Sequence, residues 1–191
     1  MTRAGVPAPA PRATRSRAGN AMPRTRAGLL DGARRALQQQ GYRRTTMTDV
    51  ATFAGVAKAT LYNHFRTKDD VFTALVAAEI EAIAGECAGR ALGEALVHAA
   101  GRLSGHRALR RVAADDPAAL ARLVTGGDAT GWQLARATVR SALEPAGLTC
   151  DDLVLRWLSS HLSTPGTEES IRDGVAYLLA GRDLPDLTER S

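Results

Sequence analysis

The side chains best suited to contact another molecule lie in one short segment of the N-terminal half. They form a donor-rich set with little bulk: Lys58, Thr60, Tyr62, Asn63 and His64. Leu61 and Phe65 are four residues apart, which places both on one face of a helix and leaves the donors for its other faces. Such a face suits a nucleic-acid duplex, whose major groove is about 12 Å wide and admits an α-helix.

A recognition helix, which enters the major groove, needs a second helix packed against it, and the preceding sequence predicts one. Thr46-Met47-Thr48-Asp49 has the form of a capping box, which begins a short helix carrying the small residues Ala51 and Ala54. Gly55 can adopt the left-handed conformation that ends a helix sharply, and the next helix begins near Ala57. The spacing therefore predicts a helix-turn-helix.

Apolar periodicity predicts one helix before this pair and one after it. The first begins near Thr25, buries an apolar face within residues 29–37 and ends at Gly41. The fourth opens with a second capping box, Thr67 to Asp70. Its apolar residues are Val71, Phe72, Leu75, Val76, Ile80 and Ile83.

The segment GYRRTTMTDVATFAGVAKATLYNHFRTKDDVF resembles the DNA-binding domain of the TetR family of regulators. The matching elements come in a fixed order: Gly41-Tyr42, Thr46, Val50-Ala51, Ala54-Gly55-Val56, Thr60-Leu61-Tyr62, His64-Phe65 and Lys68. The resemblance covers residues 25 to about 80. Beyond them, the chain agrees with the family only in its length and its predicted helix content. It implies an all-α protein with a homeodomain-like three-helix domain followed by a helical ligand-binding and dimerisation domain.

The resemblance also implies a role for each residue of the segment. The phosphate contacts, which set the register of the protein on DNA, are Thr46, Tyr62, His64 and Lys68. The residues that face base edges are Lys58, Ala59, Thr60 and Asn63. One position departs from the family pattern: Ala57 stands where a hydroxyl N-cap is usual, at an expected cost of about 1 kcal/mol.

The charge is divided unevenly along the chain. Residues 1–68 carry thirteen Lys and Arg against two acidic residues, a net +11, whereas residues 69–191 carry twelve against eighteen, a net −6. The basic excess therefore coincides with the predicted helix-turn-helix, where a polyanion would bind.

The first 23 residues combine four prolines with several arginines and show no apolar periodicity, so we expect a disordered basic arm. Two alternatives remain open for it. The arm contacts DNA phosphates or the minor groove, or the native protein starts at Met22 and residues 1–21 do not belong to it. The DNA-binding domain is then expected at residues 24–69, with its motif at 46–65, and the second domain at 70–191.

Glycine and proline divide the second domain into short helices. The predicted ranges are 88–103, 107–114, 117–125, 130–144, 151–163 and 167–180. The last two correspond in position to the family's dimerisation helices, and each carries an apolar stripe. These stripes are Leu153, Val154, Trp157, Leu158 and Leu162 in one helix, and Ile171, Val175, Leu178 and Leu179 in the other.

We expect a ligand pocket between the fourth helix and the helices of residues 88–163. Its candidate lining residues are Trp132, Trp157, His98 and His106, although Trp at helical spacing is more often ordinary core. The ligand itself is unknown, and the scarcity of unpaired charges favours an apolar or amphipathic small molecule. A change in the angle of the fourth helix on ligand binding would alter the separation of the two recognition helices in a dimer.

The expected function is a transcriptional repressor that binds a palindromic operator as a homodimer and is released by its ligand. An activator or a ligand-independent regulator is the alternative mode, and a helical interaction module without a specific DNA site is the alternative class. Enzyme motifs such as GxSxG, HExxH and the P-loop are absent from the sequence. Cys87 and Cys150 have no metal-ligand spacing, so we expect no metal or cofactor and a reducing, cytoplasmic environment. No apolar run approaches the roughly 20 residues that span a bilayer, so we expect a soluble protein with no membrane partner.

Overall fold

The computed structural model describes residues 15–118, 121 and 130–180, and this part of the chain is helical without strands, as predicted. Nine α-helices have defined bounds within it. They are α1 (Arg15–Arg44), α2 (Met47–Ala54), α3 (Lys58–Tyr62), α4 (Lys68–Cys87), α5 (Leu92–Ser104), α6 (Arg107–Asp115), α7 (Thr130–Leu143), α8 (Asp151–Ser163) and α9 (Glu168–Ala180). A 3₁₀ turn, Glu144–Ala146, follows α7.

Helix α1 begins earlier than the sequence pattern predicts. The expected N-cap at Thr25 lies inside the helix, which starts at Arg15, so residues 15–23 are helical and do not continue a disordered arm. The rest of the predicted arm, residues 1–14, lies outside the described part of the chain.

Gly41 interrupts α1 where the sequence predicts its end. Its backbone has φ 74° and ψ 172°, which is outside the helical region, so the chain kinks before Tyr42. A β-carbon at this glycine would lie 1.8 Å from Oδ2 of Asp115 in α6. The turn therefore needs glycine both for its positive φ and for the close approach of α6.

The first apolar core joins α1, α2, α3, α4 and α6. Leu29, Leu61 and Leu75 are fully buried in it, and Phe72 packs its ring against Tyr42 at a centroid distance of 5.1 Å. The apolar faces predicted for the first four helices thus meet in one place. Leu61 of α3 and Phe65, which lies three residues beyond the end of α3, anchor this segment to the core.

The second core lies among α5, α7, α8 and α9. Its buried residues are Leu96, Ala99, Ala100, Leu143, Val154, Leu158, Ile171 and Val175. The bounds of α8 agree with the prediction, and those of α5, α6, α7 and α9 differ from it by a few residues. Most of the predicted 117–125 helix lies outside the described residues.

The two apolar stripes of α8 and α9 are largely used within the subunit. Val154 and Leu158 of α8, like Ile171 and Val175 of α9, are buried in the second core, whereas Leu153 is 57% exposed. Part of each predicted stripe therefore packs within the subunit, and the correspondence of α8 and α9 to dimerisation helices stays a prediction. Helical spacing identifies an apolar face, but it does not identify which neighbour covers that face.

Candidate nucleic-acid interface and internal cavity

The capping box at the start of α2 is present as predicted. The Thr46 hydroxyl oxygen accepts a hydrogen bond from the backbone N–H of Asp49 at 3.2 Å, and the Asp49 carboxylate accepts one from the Thr46 N–H at 2.8 Å. Hydrogen bonds from the Thr46 side chain and backbone lower the pKa of Asp49. Thr46 itself remains exposed, so its position beside the positive end of α2 is open to an anion.

The turn between α2 and α3 has the geometry of a helix-turn-helix. Gly55 adopts the left-handed conformation, with φ 68° and ψ 31°, and its N–H closes the end of α2 on Ala51 and Thr52 carbonyls. Ala57 is the N-cap of α3 in an extended conformation and makes no side-chain capping bond. The weak cap expected at Ala57 is thus confirmed.

Helix α3 separates an inner face from an outer one. Leu61 and Phe65 are buried, whereas Tyr62 is 44% exposed and its neighbour Lys58 is exposed. The Lys58 ammonium lies 5.8 Å from the centre of the Tyr62 ring, so both side chains cover the same side of the helix. Ala59 is also exposed.

The other residues of the 58–64 segment that are predicted to contact DNA are less exposed or lie beyond the end of α3. Thr60 is half-buried in α3. The helix stops at Tyr62, so Asn63 is its exposed C-cap and the half-buried His64 belongs to the turn that follows. The expectation that Asn63 and His64 lie on faces of the helix is therefore corrected, because α3 has only five residues.

Lys68 begins α4 but its ammonium already has protein partners. Its Nζ donates to the backbone carbonyl of Tyr42 at 2.8 Å and lies 4.2 Å from the centre of the Tyr42 ring. The Tyr42 hydroxyl in turn donates to the Asp69 carboxylate. Lys68 therefore fastens the end of α1 to the start of α4, a structural role that the sequence motif did not indicate.

Two arginines near this surface were not singled out from the sequence. Arg44 precedes the α2 cap, Arg66 precedes the α4 cap, and both are exposed. The excess of basic residues in the first third of the chain was the available signal for them.

These features define a helix-turn-helix protein. A sequence profile described as "Bacterial regulatory proteins, tetR family" matches residues 29–75, so this segment is similar to the N-terminal domain of TetR-family regulators. A relative, the "HTH-type transcriptional regulator TtgR" of Pseudomonas putida, is 40% identical over 52 residues, which are 27% of this chain and 25% of the relative. The matched segment thus spans about a quarter of that relative.

Solved structures show the same fold over most of the chain. The TetR family repressor AlkX from Dietzia, described as implicated in biodegradation of n-alkanes, has a TM-score of 0.62 at 22% identity, covering 81% of this chain and 95% of AlkX. FadR from Bacillus subtilis, solved with stearoyl-CoA, has a TM-score of 0.54 at 18% identity, covering 80% and 96%. AlkX is described as a repressor and FadR as a transcriptional regulator.

An internal cavity of about 160 Å³ lies among α4, α5, α7 and α8, with Leu109 of α6 at its border. Its walls are almost wholly apolar, with Ile80, Leu96, Leu155 and Trp132 among the lining residues. The position agrees with the predicted pocket. Of the four candidate lining residues, Trp132 is the one found in the wall.

The other three candidates are engaged elsewhere. His98 bonds the Glu86 carboxylate at 2.7 Å, and Trp157 packs on Gly174 and edge-on against His161. His106 is the N-cap of α6 and lies behind the cavity wall. These three residues lie on or beside helices near the cavity, but none of them lines its wall.

Glu79 of α4 is a buried acid beside this cavity that sequence reasoning missed. Its Oε1 accepts from the Arg34 guanidinium of α1, with Nε at 2.9 Å, and its Oε2 lies 3.1 Å from Nε2 of His106. Burial tends to raise the pKa of Glu79, but the hydrogen bonds from His106 and Arg34 outweigh it and lower the pKa to about 2. Glu79 is therefore ionised at neutral pH.

Within the described residues, no helix is long and apolar enough to cross a lipid bilayer. The same part of the chain contains no group of three or more His, Cys, Asp and Glu side chains placed to hold a metal ion.

Proposed function

We propose that this protein is a transcriptional repressor that binds a palindromic operator as a dimer and is released by a small apolar or amphipathic ligand. The observation that carries this proposal is that α3 has one buried side and one exposed side. Leu61 and Phe65 fix the helix to the core while Lys58 and Tyr62 stand exposed on its other side. A helix held in this way can enter the major groove without unfolding its own domain.

The exposed residues divide into two kinds of DNA contact. We assign Thr46, Tyr62, His64 and Lys68 to phosphates, which position the protein without selecting a sequence. We assign Lys58, Ala59, Thr60 and Asn63 to base edges, since Lys donates to guanine, Asn pairs with adenine and small apolar groups contact the thymine methyl. Lys68 can serve a phosphate with a second N–H while its first stays on Tyr42.

The dimer is proposed to form through the side of α8 and α9 that the second core leaves uncovered. Leu153 is 57% exposed and Tyr177 is 82% exposed, an unusual degree for large apolar side chains. Trp157 lies half-buried beside them, packed on Gly174 of α9. A two-fold axis through this surface would let two α3 helices reach major grooves about 34 to 36 Å apart.

The cavity is proposed as the ligand site. AlkX is a repressor tied to alkane biodegradation and FadR was solved with an acyl-CoA, and both suggest apolar ligands for this fold. A cavity of about 160 Å³ is close to the engineered one of about 150 Å³ that binds benzene. A compact molecule of about that size would fill the apolar space between the helices that line it.

Selection of bound duplexes from a random library tests the proposal. The full chain should recover one palindromic sequence, and that sequence should stay bound in the presence of excess unrelated duplex. Binding to random DNA at low salt does not distinguish the two classes, because any basic surface binds DNA under those conditions. Recovery of unrelated sequences would instead support a helical interaction module without a specific DNA site.

A further inference from the structure

Glu79 is the one charged residue among the described residues that line the cavity. The hydroxyl and thiol donors in the wall are committed to nearby backbone carbonyls. The Thr138 hydroxyl donates to Leu134, the Ser159 hydroxyl donates to Leu155, and the Cys87 thiol donates to Ala95. A ligand in the cavity therefore meets mostly apolar surface, one carboxylate and the side chain of Trp132, which carries an indole N–H donor.

The Glu79 carboxylate retains capacity for one more donor. Its Oε1 already accepts two N–H groups of Arg34, while Oε2 accepts a single bond from His106. A carboxylate oxygen has two acceptor positions, so one position on Oε2 is left. Neither Arg34 nor His106 lines the cavity, which means that a ligand meets the acid and not the groups that neutralise it.

His106 supplies a hydrogen bond but no positive charge in this arrangement. Its Nδ1 accepts the backbone N–H of Leu109 at 3.2 Å and so holds no proton. The ring proton therefore lies on Nε2, which donates to Glu79. The cluster as a whole contains one cation, Arg34, and one anion, Glu79, and it has no spare positive charge to offer an anionic ligand.

We propose that the cavity binds a compact apolar molecule with a single hydrogen-bond donor, an ammonium or hydroxyl group, directed at Oε2 of Glu79, and that it rejects molecules with an anionic head group. This inference rests on the proposed function only in taking the cavity as the ligand site. The rejection has a simple physical cause. A carboxylate that leaves water for an apolar cavity without a nearby cation loses its hydration without compensation, and the negative charge of Glu79 repels it in addition.

Three probes of one ring size test this ligand class: benzylamine, benzyl alcohol and benzoate. Each is titrated into the full chain at pH 7 without DNA, with binding followed by calorimetry or by NMR shifts of cavity residues. Benzylamine and benzyl alcohol should bind, and benzoate should bind at least tenfold more weakly than benzylamine. Glu79→Gln should reduce the preference for benzylamine over benzoate by at least tenfold, because the charge-assisted hydrogen bond is lost.

Glu86→Gln is the matched control, since Glu86 lies on the same helix, is paired with Arg102 and His98, and does not line the cavity. It should leave the preference unchanged. Benzoate binding as tightly as benzylamine to the wild-type protein would overturn the inference without requiring any variant. Failure of all three probes to bind would also overturn it, and intact operator binding in that case would leave the DNA-binding proposal standing.

Discussion

Arg34 of α1 and Glu79 of α4 lie 45 residues apart in sequence and form an ion pair, with the Arg34 Nε 2.9 Å from Oε1 of Glu79. The Arg34 side chain is about one third exposed, whereas that of Glu79 is almost fully buried. Helix α1, which packs on α2, is therefore tied by an ion pair to the helix that forms one wall of the cavity.

The first prediction concerns the pH dependence that this pair gives to stability. The pKa of Glu79 is lowered from 4.5 to about 2 in the folded protein, so its contribution is present above pH 4.5 and is lost as pH falls towards 2. The difference in free energy of unfolding between wild type and Glu79→Gln should shrink by about 2 kcal/mol over that window. Urea unfolding at pH 7, 5, 4 and 3 measures it.

Other carboxylates with lowered pKa, Asp49 and Asp70 among them, titrate in the same range in both proteins and cancel in the difference. A difference that is constant from pH 7 to pH 3 would show that Glu79 is not held ionised by its partners.

The second prediction concerns Gly41. Gly41→Ala should lower the free energy of unfolding by about 2 kcal/mol or more, because alanine is strained at φ 74° and its β-carbon would meet the Asp115 carboxylate. Gly28→Ala is the control in the same helix, where a β-carbon meets nothing within 4 Å. That variant should be stabilised by up to about 1 kcal/mol. Equal effects of the two substitutions would contradict the assigned role of Gly41.

The third prediction concerns the weak cap of α3. Ala57 has φ −65° and ψ 145°, a conformation that suits a capping side chain, yet it has none to offer. Ala57→Ser should therefore raise the free energy of unfolding by about 0.5 to 1 kcal/mol. Ala59→Ser, placed two residues later inside the helix, should lower it slightly because serine is a poorer helix former. Thermal unfolding of the two variants compares them, and stabilisation by both would argue against a capping effect.

The fourth prediction separates phosphate contacts from base contacts. Tyr62→Phe removes one hydroxyl and should weaken binding to all duplexes by a similar factor. Lys58→Ala should instead change which bases are preferred, since its ammonium is assigned to guanine. Duplex selection carried out with each variant measures both effects. Identical preferred sequences for wild type and Lys58→Ala would remove Lys58 from base recognition.

The sequence predicted the features that depend on neighbouring residues. The capping box of Thr46 and Asp49, the left-handed Gly55 and the burial of Leu61 and Phe65 all follow from spacings of six residues or fewer. These are local backbone and periodicity rules, and they apply whatever the rest of the chain does. The family resemblance rests on the same short segment.

Features that depend on distant partners could not be predicted. Glu79 occupies a position on the apolar face of α4 between Val76 and Ile80, which was a visible anomaly, but its partner Arg34 belongs to another helix. Lys68 was expected to be free for a phosphate, whereas its ammonium donates a hydrogen bond to a carbonyl 26 residues away. Such pairings arise from the way helices pack, which no spacing rule encodes.

Hydroxyl-radical footprinting of the wild-type protein on its selected operator tests the central claim most directly. Two α3 helices related by a two-fold axis should protect two backbone patches, with centres one helical turn or a whole multiple of it apart, on one side of the duplex. Tyr62→Phe should reduce both patches equally. Protection of one half-site alone, or uniform protection along the duplex, would contradict the account of α3 as the recognition helix of a dimer.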